Sequence, residues 1–332
     1  MAFGINTYGD LSPRVGIYAV ANFLNHAEPV EVLAKFGMNE PLPKNKGQIV
    51  KWRRAVPLAV NTEALVEGVT PSPSQIQFET VTTQVSQYGN WVNFTDVIVD
   101  THEDPILKNI TQLLGEQAGA TKEAIIWEEL IGGTSVIYTG TATQRSEVDS
   151  PLTEDELIQA QRILKANRAK PITRMLKAGT AIATEPVAPG YIGFGHVNLE
   201  KDLRALPEFV VREKYSQYSP VSDWEIGKFQ DLRFVLTPDL GILYGAGDNN
   251  TSGVLSRDGA NVDVYPLVIV GQEAYGVTAL RGMDSANVTV KNPESTYNDP
   301  LAQRGFASWK IWYVATRLNE EWMVRIETAV SA

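Results

Sequence analysis

Two strand-like runs in the first hundred residues lack an apolar face between them, and this limits the fold more than any other feature. Residues 46–58 alternate in part, with Val50, Trp52 and Val56 on one side and Lys51, Arg53 and Ala55 on the other. Residues 76–85 alternate weakly and carry Thr and Gln on both sides. Between them, residues 67–74 are polar and include Pro71 and Pro73. Alternating runs around a turn-rich segment predict an extended antiparallel hairpin. An isolated hairpin is marginal in water and needs a third strand or an apolar cover. Neither face supplies one, so its partner is expected outside its own domain.

Residues 1–45 add no periodic element. Short apolar clusters at 15–20 and 30–33 lie among Gly4, Gly9, Pro13, Gly16 and Pro29, and the stretch ends at Pro41 and Pro43. Such punctuation interrupts helix and strand alike. An arm laid along another surface is expected, anchored by Tyr18, Phe23 and Phe36. The opening residues lack the basic, apolar and small-residue succession of a secretory signal. No run approaches the roughly 20 apolar residues of a membrane span. Residence or assembly in the cytoplasm is the expectation.

Helical periodicity begins after residue 104. Ile106, Ile110, Leu113, Leu114, Ala118, Ala124, Ile125 and Leu130 recur near helical spacing. Asp104 as cap, Pro105 in the first turn and Gly132-Gly133 as stop frame a helix over 105–131. It would be about 40 Å long at a rise of 1.5 Å per residue. Gly115 and Gly119, four apart, are expected where a neighbouring backbone comes close. A second helix opens at Thr153 with Glu156 as a capping box, and its acidic start and basic tail (Arg162, Lys165, Arg168, Lys170) suit the helix dipole. Capping therefore explains the acid-rich stretch 147–156 better than a metal or acid/base site does.

From Gly190 onward short apolar strands alternate with Gly, Asn and Asp turns: 191–197, a short helix near 200–206, then 229–236 and 265–270. This is a mixed α+β block. Residues 305–330 alternate well, with Trp309, Ile311 and Tyr313 on one side and, past Asn319-Glu320, Trp322, Val324 and Ile326. They predict a closing hairpin with a core-facing side.

The inventory for chemistry is thin. The 332 residues include no cysteine, which excludes disulfides, zinc–thiolate sites, iron–sulfur clusters and a thiol nucleophile together. His26, His102 and His196 lie far apart and form no HExxH pattern. No nucleophile elbow or phosphate loop is present. Glycines near 190–195 and 245–247 lack the strand–loop–helix setting of a dinucleotide site. His196, between a strand and a helix, is expected to bond backbone groups. Asp223-Trp224-Glu225 is the best local match to the paired carboxylates of a glycosidase, but acidic residues number 39 and such triplets are common. No catalytic residue, cofactor or metal ligand is assigned, and no enzyme is expected.

Basic residues concentrate at Lys44, Lys46, Lys51, Arg53 and Arg54 around Trp52. They could form a nucleic-acid stripe with an aromatic platform, or reach acids of a neighbouring subunit, where Arg favours two-pronged contacts. A net charge of −10 argues against a surface that grips phosphate throughout. The protein contact is preferred. Tyr18, Phe36, Lys51, Trp52, Arg53 and Arg54 are the expected inter-subunit contacts, the apolar ones exposed only before assembly.

Several blocks together resemble a known family. Lys35-Phe36-Gly37-Met38 through Pro43-Lys44-Asn45-Lys46-Gly47, then Val50-Lys51-Trp52-Arg53-Arg54, resemble the hairpin entry of the major capsid proteins of N4-like tailed phages. Leu152-Thr153 leading to Ile163-Leu164-Lys165-Ala166-Asn167 resembles a helix of that family. Gly195-His196, Asp202-Leu203, Glu225-Ile226-Gly227-Lys228-Phe229 and Arg233-Phe234-Val235 resemble its middle domain. Val264-Tyr265-Pro266-Leu267, Gly271 and Ala274-Tyr275-Gly276 follow in order. Asp299-Pro300-Leu301 to Gly305, Trp309-Lys310 and Leu318-Asn319-Glu320-Glu321-Trp322 resemble its closing strands. The likeness runs from about residue 10 to the end. One departure stands at His196-Val197, where the family commonly has His-Pro.

The resemblance implies the α+β tailed-phage major capsid (HK-97-like) fold. It would divide the chain into an N-terminal arm (1–45), an extended β-hairpin loop (46–100) and a peripheral domain (101–149) with a spine helix (105–131). An axial domain (150–280) and a return to the peripheral domain (281–332) would follow. It further implies a structural major capsid protein that self-assembles into hexamers and pentamers of an icosahedral head around double-stranded DNA. Its partners would be copies of itself, with decoration, scaffold or portal proteins as further possibilities, packaged DNA only non-specifically, and no membrane. The expected location is the virion shell, assembled in the host cytoplasm. Two other readings remain open here: an encapsulin-like shell around protein cargo, and a carbohydrate-active or carbohydrate-binding protein built on Asp223 and Glu225.

Overall fold

The computed structural model describes residues 31–43, 45, 47–64, 67–68, 70, 72–101, 106–176, 184–215, 220–250, 253–280, 287–295, 297 and 299–332. The expectations for Tyr18, Phe23, His26, Lys44, Lys46, His102 and the Asp104-Pro105 cap lie outside the described residues.

A 3-10 turn at Leu33–Lys35 leads into β1 (Met38–Asn39). Strands β2 (Ile49–Ala55) and β3 (Phe78–Gln84) pair antiparallel, with Trp52 opposite Val81 and Arg54 opposite Glu79. The expected hairpin thus forms, with a connection longer than the turn segment read from sequence. Val85 separates β3 from β4 (Ser86–Thr95), which runs into α1 (Asp96–Thr101) and then α2 (Ile106–Ile131). Leu114, Ala118, Ile126, Trp127 and Leu130 form the buried stripe of α2. Leu113 was expected in that stripe, but it is 54% exposed. Among the described residues Gly119 meets no neighbouring backbone but lies under the Glu31 side chain, and none comes within 4 Å of a Cβ built at Gly115.

The middle of the chain builds β5 (Val136–Tyr138), α3 (Glu154–Ala166), β6 (Ile172–Leu176) and β7 (Thr184–His196). The capping box of α3 is present, with the Thr153 amide donating to Glu156 Oε2 at 3.0 Å. Then come α4 (Glu200–Arg204), β8 (Phe209–Val211), β9 (Glu225–Phe229) and β10 (Leu232–Thr237). Residues 229–236, expected as one strand, are instead the turn and second half of the β9–β10 hairpin; Gln230 at φ 50 makes the corner. Finally β11 (Tyr265–Val270), β12 (Tyr275–Ala279), β13 (Asn287–Lys291), β14 (Arg304–Arg317) and β15 (Met323–Thr328) complete the fold.

Two sheets carry the cores. The five-stranded sheet runs β1-β12-β14-β13, with β4 along the other edge of β14. The eight-stranded sheet runs β5-β15-β11-β7-β10-β9-β8, with β6 also on β7. Strands β7 and β11 face two cores at once. Ile192, Phe194, Val268 and Val270 pack toward α2, while Tyr191, Leu267 and Ile269 pack toward α3. Burial on both faces is why β11 reads as an unbroken apolar run.

The expected closing hairpin is not formed. Strand β14 belongs to the five-stranded sheet, whereas β15 lies between β5 and β11 in the other. All six residues of β15 are buried, which an edge of a two-stranded hairpin could not achieve. Trp309, Ile311 and Tyr313 do share one buried side of β14, as alternation requires.

Candidate self-assembly surface

The β2–β3 hairpin stands as a two-stranded sheet, and no third strand pairs with it among the described residues. Its two faces differ. Val50, Trp52, Val81 and Thr83 are half-buried. Trp52 turns back onto its own chain, where the missing side chain of Gly276 leaves room: a Cβ there would sit 3.1 Å from Trp52 Cζ2. The indole is therefore partly covered within its own subunit, midway along the hairpin. The cost is a buried Trp52 Nε1 with no hydrogen-bond partner.

The opposite face is exposed along its whole length. It carries Ile49, Lys51, Arg53 and Ala55 from β2 against Gln84, Thr82, Thr80 and Phe78 from β3. Ile49 and Phe78 are each 56% exposed, and in the connecting loop Val60 reaches 86%. The Arg53 guanidinium lies over the Phe78 ring, 5.0 Å from its centre. Arg54 projects from the other face and pairs with Glu79 at 2.6 Å. That pair is solvent-exposed and contributes about 0.2–1 kcal/mol. Part of the basic run is thus satisfied within the chain.

Phe36 departs from the expectation of an inter-subunit contact. It is 6% exposed, with its ring 5.7 Å from that of Phe194. The 3-10 turn before it tucks the ring into the α2 core, so it is not available to a neighbour. The residues that sequence reasoning missed are Ile49, Phe78, Leu58, Val60 and Ile76, all exposed and apolar. Strand parity holds their signal: Ile49 shares a side with Lys51 and Arg53 in the sequence itself.

An outer face of the five-stranded sheet adds a second aromatic surface. Trp91, half-exposed, meets Phe306 edge-on at 6.4 Å. Beside it Gln87, Gly89, Thr289, Ser308 and Lys310 line a groove of about 540 Å³.

The catalytic alternatives are answered by geometry. Glu225 is fully buried as a side chain, and Arg233 Nε donates to it at 2.8 Å. The Tyr215 hydroxyl donates to Oε1 at 2.9 Å and the Val221 amide to Oε2 at 2.6 Å. Both oxygens are committed to Arg233, Tyr215 and Val221, so Asp223 and Glu225 do not form a paired acid–base site. Burial and the neighbouring carboxylate push the Tyr215 hydroxyl well above the ordinary phenol range. His196 accepts from the Asn198 amide at 3.1 Å, the backbone role expected of it, and burial lowers its pKa. Among the described residues, no three His, Asp or Glu side chains are grouped to hold a metal.

An α+β fold with a long helix across one sheet, a second sheet and a projecting hairpin is the architecture of tailed-phage capsid subunits. The Ralstonia phage GP4 capsid matches at a TM-score of 0.71, covering 100% of this chain and 99% of that one at 11% identity. The head of Helicobacter pylori bacteriophage KHP40 matches at 0.65, covering 99% and 98% at 12% identity. The chain belongs to the phage capsid protein family, which matches residues 78–326. The family is structural, not enzymatic. By sequence the chain is similar to the major capsid protein of Pseudomonas phage KPP21, 26% identical over 264 residues. That match spans 74% of this chain and 66% of the relative's length.

Proposed function

We propose that the chain is the building block of an icosahedral phage head, assembling into hexamers and pentamers around double-stranded DNA. The observation that carries this reading is the β2–β3 hairpin, which exposes Ile49 and Phe78 on a face with no cover in its own subunit. Ile49 and Phe78 stand at the two ends of this face, and an aromatic ring beside an exposed Arg, as with Phe78 and Arg53, is of the kind enriched at protein contacts. Lys51 and Arg53 lie between the two, with Tyr18 an additional contact in the arm. The mechanism is geometric: many modest interfaces, multiplied by valency, give a stable shell.

In this reading α2 and the five-stranded sheet form the peripheral domain, and the eight-stranded sheet with α3 the axial one. Residues 1–45 serve as the arm and 46–85 as the extended loop, shorter than the expected 46–100 because β4 lies in the five-stranded sheet, and β15, expected in the peripheral return, lies in the axial sheet. The location is the virion shell, reached by assembly in the host cytoplasm. Light scattering and negative-stain imaging of the purified full chain test this. Closed particles or capsomers are expected; a chain that stays monomeric under every assembly condition overturns it.

A further inference from the structure

The buried stripe of α2 contains one acid. Glu123 is 4% exposed, between Gly119 and the Ile126–Trp127 pair. Its Oε1 accepts two backbone hydrogen bonds, from the Val32 amide at 2.8 Å and the Leu33 amide at 2.7 Å. Its Oε2 is buried and has no hydrogen-bond partner among the described residues. Those two amides open the 3-10 turn at Leu33–Lys35, through which residues 1–30 join the described fold. The turn is held elsewhere by Tyr275, whose hydroxyl donates to the Leu33 carbonyl at 2.5 Å. One acidic side chain thus grips the segment from below, with half of its carboxyl group dry.

The surroundings favour the neutral acid. Tyr275 on β12 and Tyr313 on β14 are buried phenols whose own ionisation is suppressed by burial and by Glu123. Glu31 brings a second carboxylate to the helix over Gly119, and Lys35 brings a compensating positive charge from the turn. Burial, aided by Glu31, pushes the Glu123 pKa up to about 7, while the two amides and Lys35 act in the opposite direction. A protonated carboxyl keeps Oε1 as acceptor for both amides and places its hydrogen on Oε2. A carboxylate is left with a buried, unsolvated oxygen, a state relieved when the segment lifts and water enters.

We propose that Glu123 is a proton-operated latch: its neutral acid holds residues 31–36 on α2, and its carboxylate weakens that hold. The sign follows from linkage. The folded-state pKa lies above that of an exposed glutamate, so the stabilisation is complete below the exposed value and is lost as pH rises through about 7.

Hydrogen exchange on the full-length chain reads the latch. Between about pH 6 and about pH 8.5, protection of residues 31–36, corrected for intrinsic exchange, is expected to fall about tenfold. The Glu123→Gln variant, which keeps a neutral acceptor, is expected to hold the same protection at both. An equal fall in the variant, or no fall in the wild type, overturns the latch. Should the variant not fold, infrared titration of the wild type decides alone: loss of a buried carboxylic-acid stretch near pH 7 supports the proposal, and absence of that band overturns it.

Discussion

Arg233 and Glu225 illustrate how much a single pairing decides. Their side chains are 5% and 0% exposed, and the guanidinium also lies 5.6 Å from the centre of the Tyr215 ring. Removing one partner strands the other charge in the interior. Arg233→Met is expected to cost about 3–5 kcal/mol in urea unfolding, and adding Glu225→Leu to recover part of that loss. Losses that simply sum would show that the two groups do not interact. Glu327 is built on the same principle, fully buried beneath Arg145 at 2.7 Å and Arg325 at 2.9 Å. The acid–Trp–acid triplet at 223–225 was visible in sequence, but its role was not. Arg233 reaches Glu225 only because β9 and β10 fold back at Gln230, and the sequence reads through that corner as one strand.

At the scale of elements, the hairpin separates folding from assembly. Ile49→Asp and Phe78→Asp alter exposed positions, so monomer stability is expected to stay within about 0.5 kcal/mol of wild type. Assembly followed by light scattering should fall sharply. Loss of both together would mean that this face packs within the subunit. Trp52→Ala acts from the other side: emptying the space over Gly276 is expected to cost about 2 kcal/mol, less than a full core truncation because the indole is half-buried. Trypsin should then cut faster at Lys51, Arg53 and Arg54. The elements legible in sequence are those set by local rules. The α3 capping box, the long α2 and the six-residue run of β11 all formed where expected. Strand β15 was misplaced because its partners, β5 and β11, lie far away in the chain and alternation says nothing about which strand pairs with which. Phe36 was misread for a related reason: its cover comes from Phe194, more than a hundred residues on.

Across the whole molecule the two cores are not independent. Alternate residues of β7 and β11 belong to different cores, so neither sheet face can melt without exposing the other. A single unfolding transition is expected, with coincident far-ultraviolet circular dichroism and tryptophan fluorescence. Two separated transitions would show that the layers are held more loosely than their shared strands require.

The attachment of the hairpin has a mechanical consequence. Its base is fixed at the buried Val85, whose amide donates to the Gln48 carbonyl at 2.9 Å, and it is braced midway by the indole seated above Gly276. Beyond that brace about three residues of each strand stand free, roughly 10 Å at about 3.3 Å each, so a bend of about 10° moves the tip about 2 Å with the ladder intact. Copies of one chain could then meet neighbours inclined at different angles. Differences in curvature would be taken up in this outer part of the hairpin, leaving the jigsaw of both interiors undisturbed.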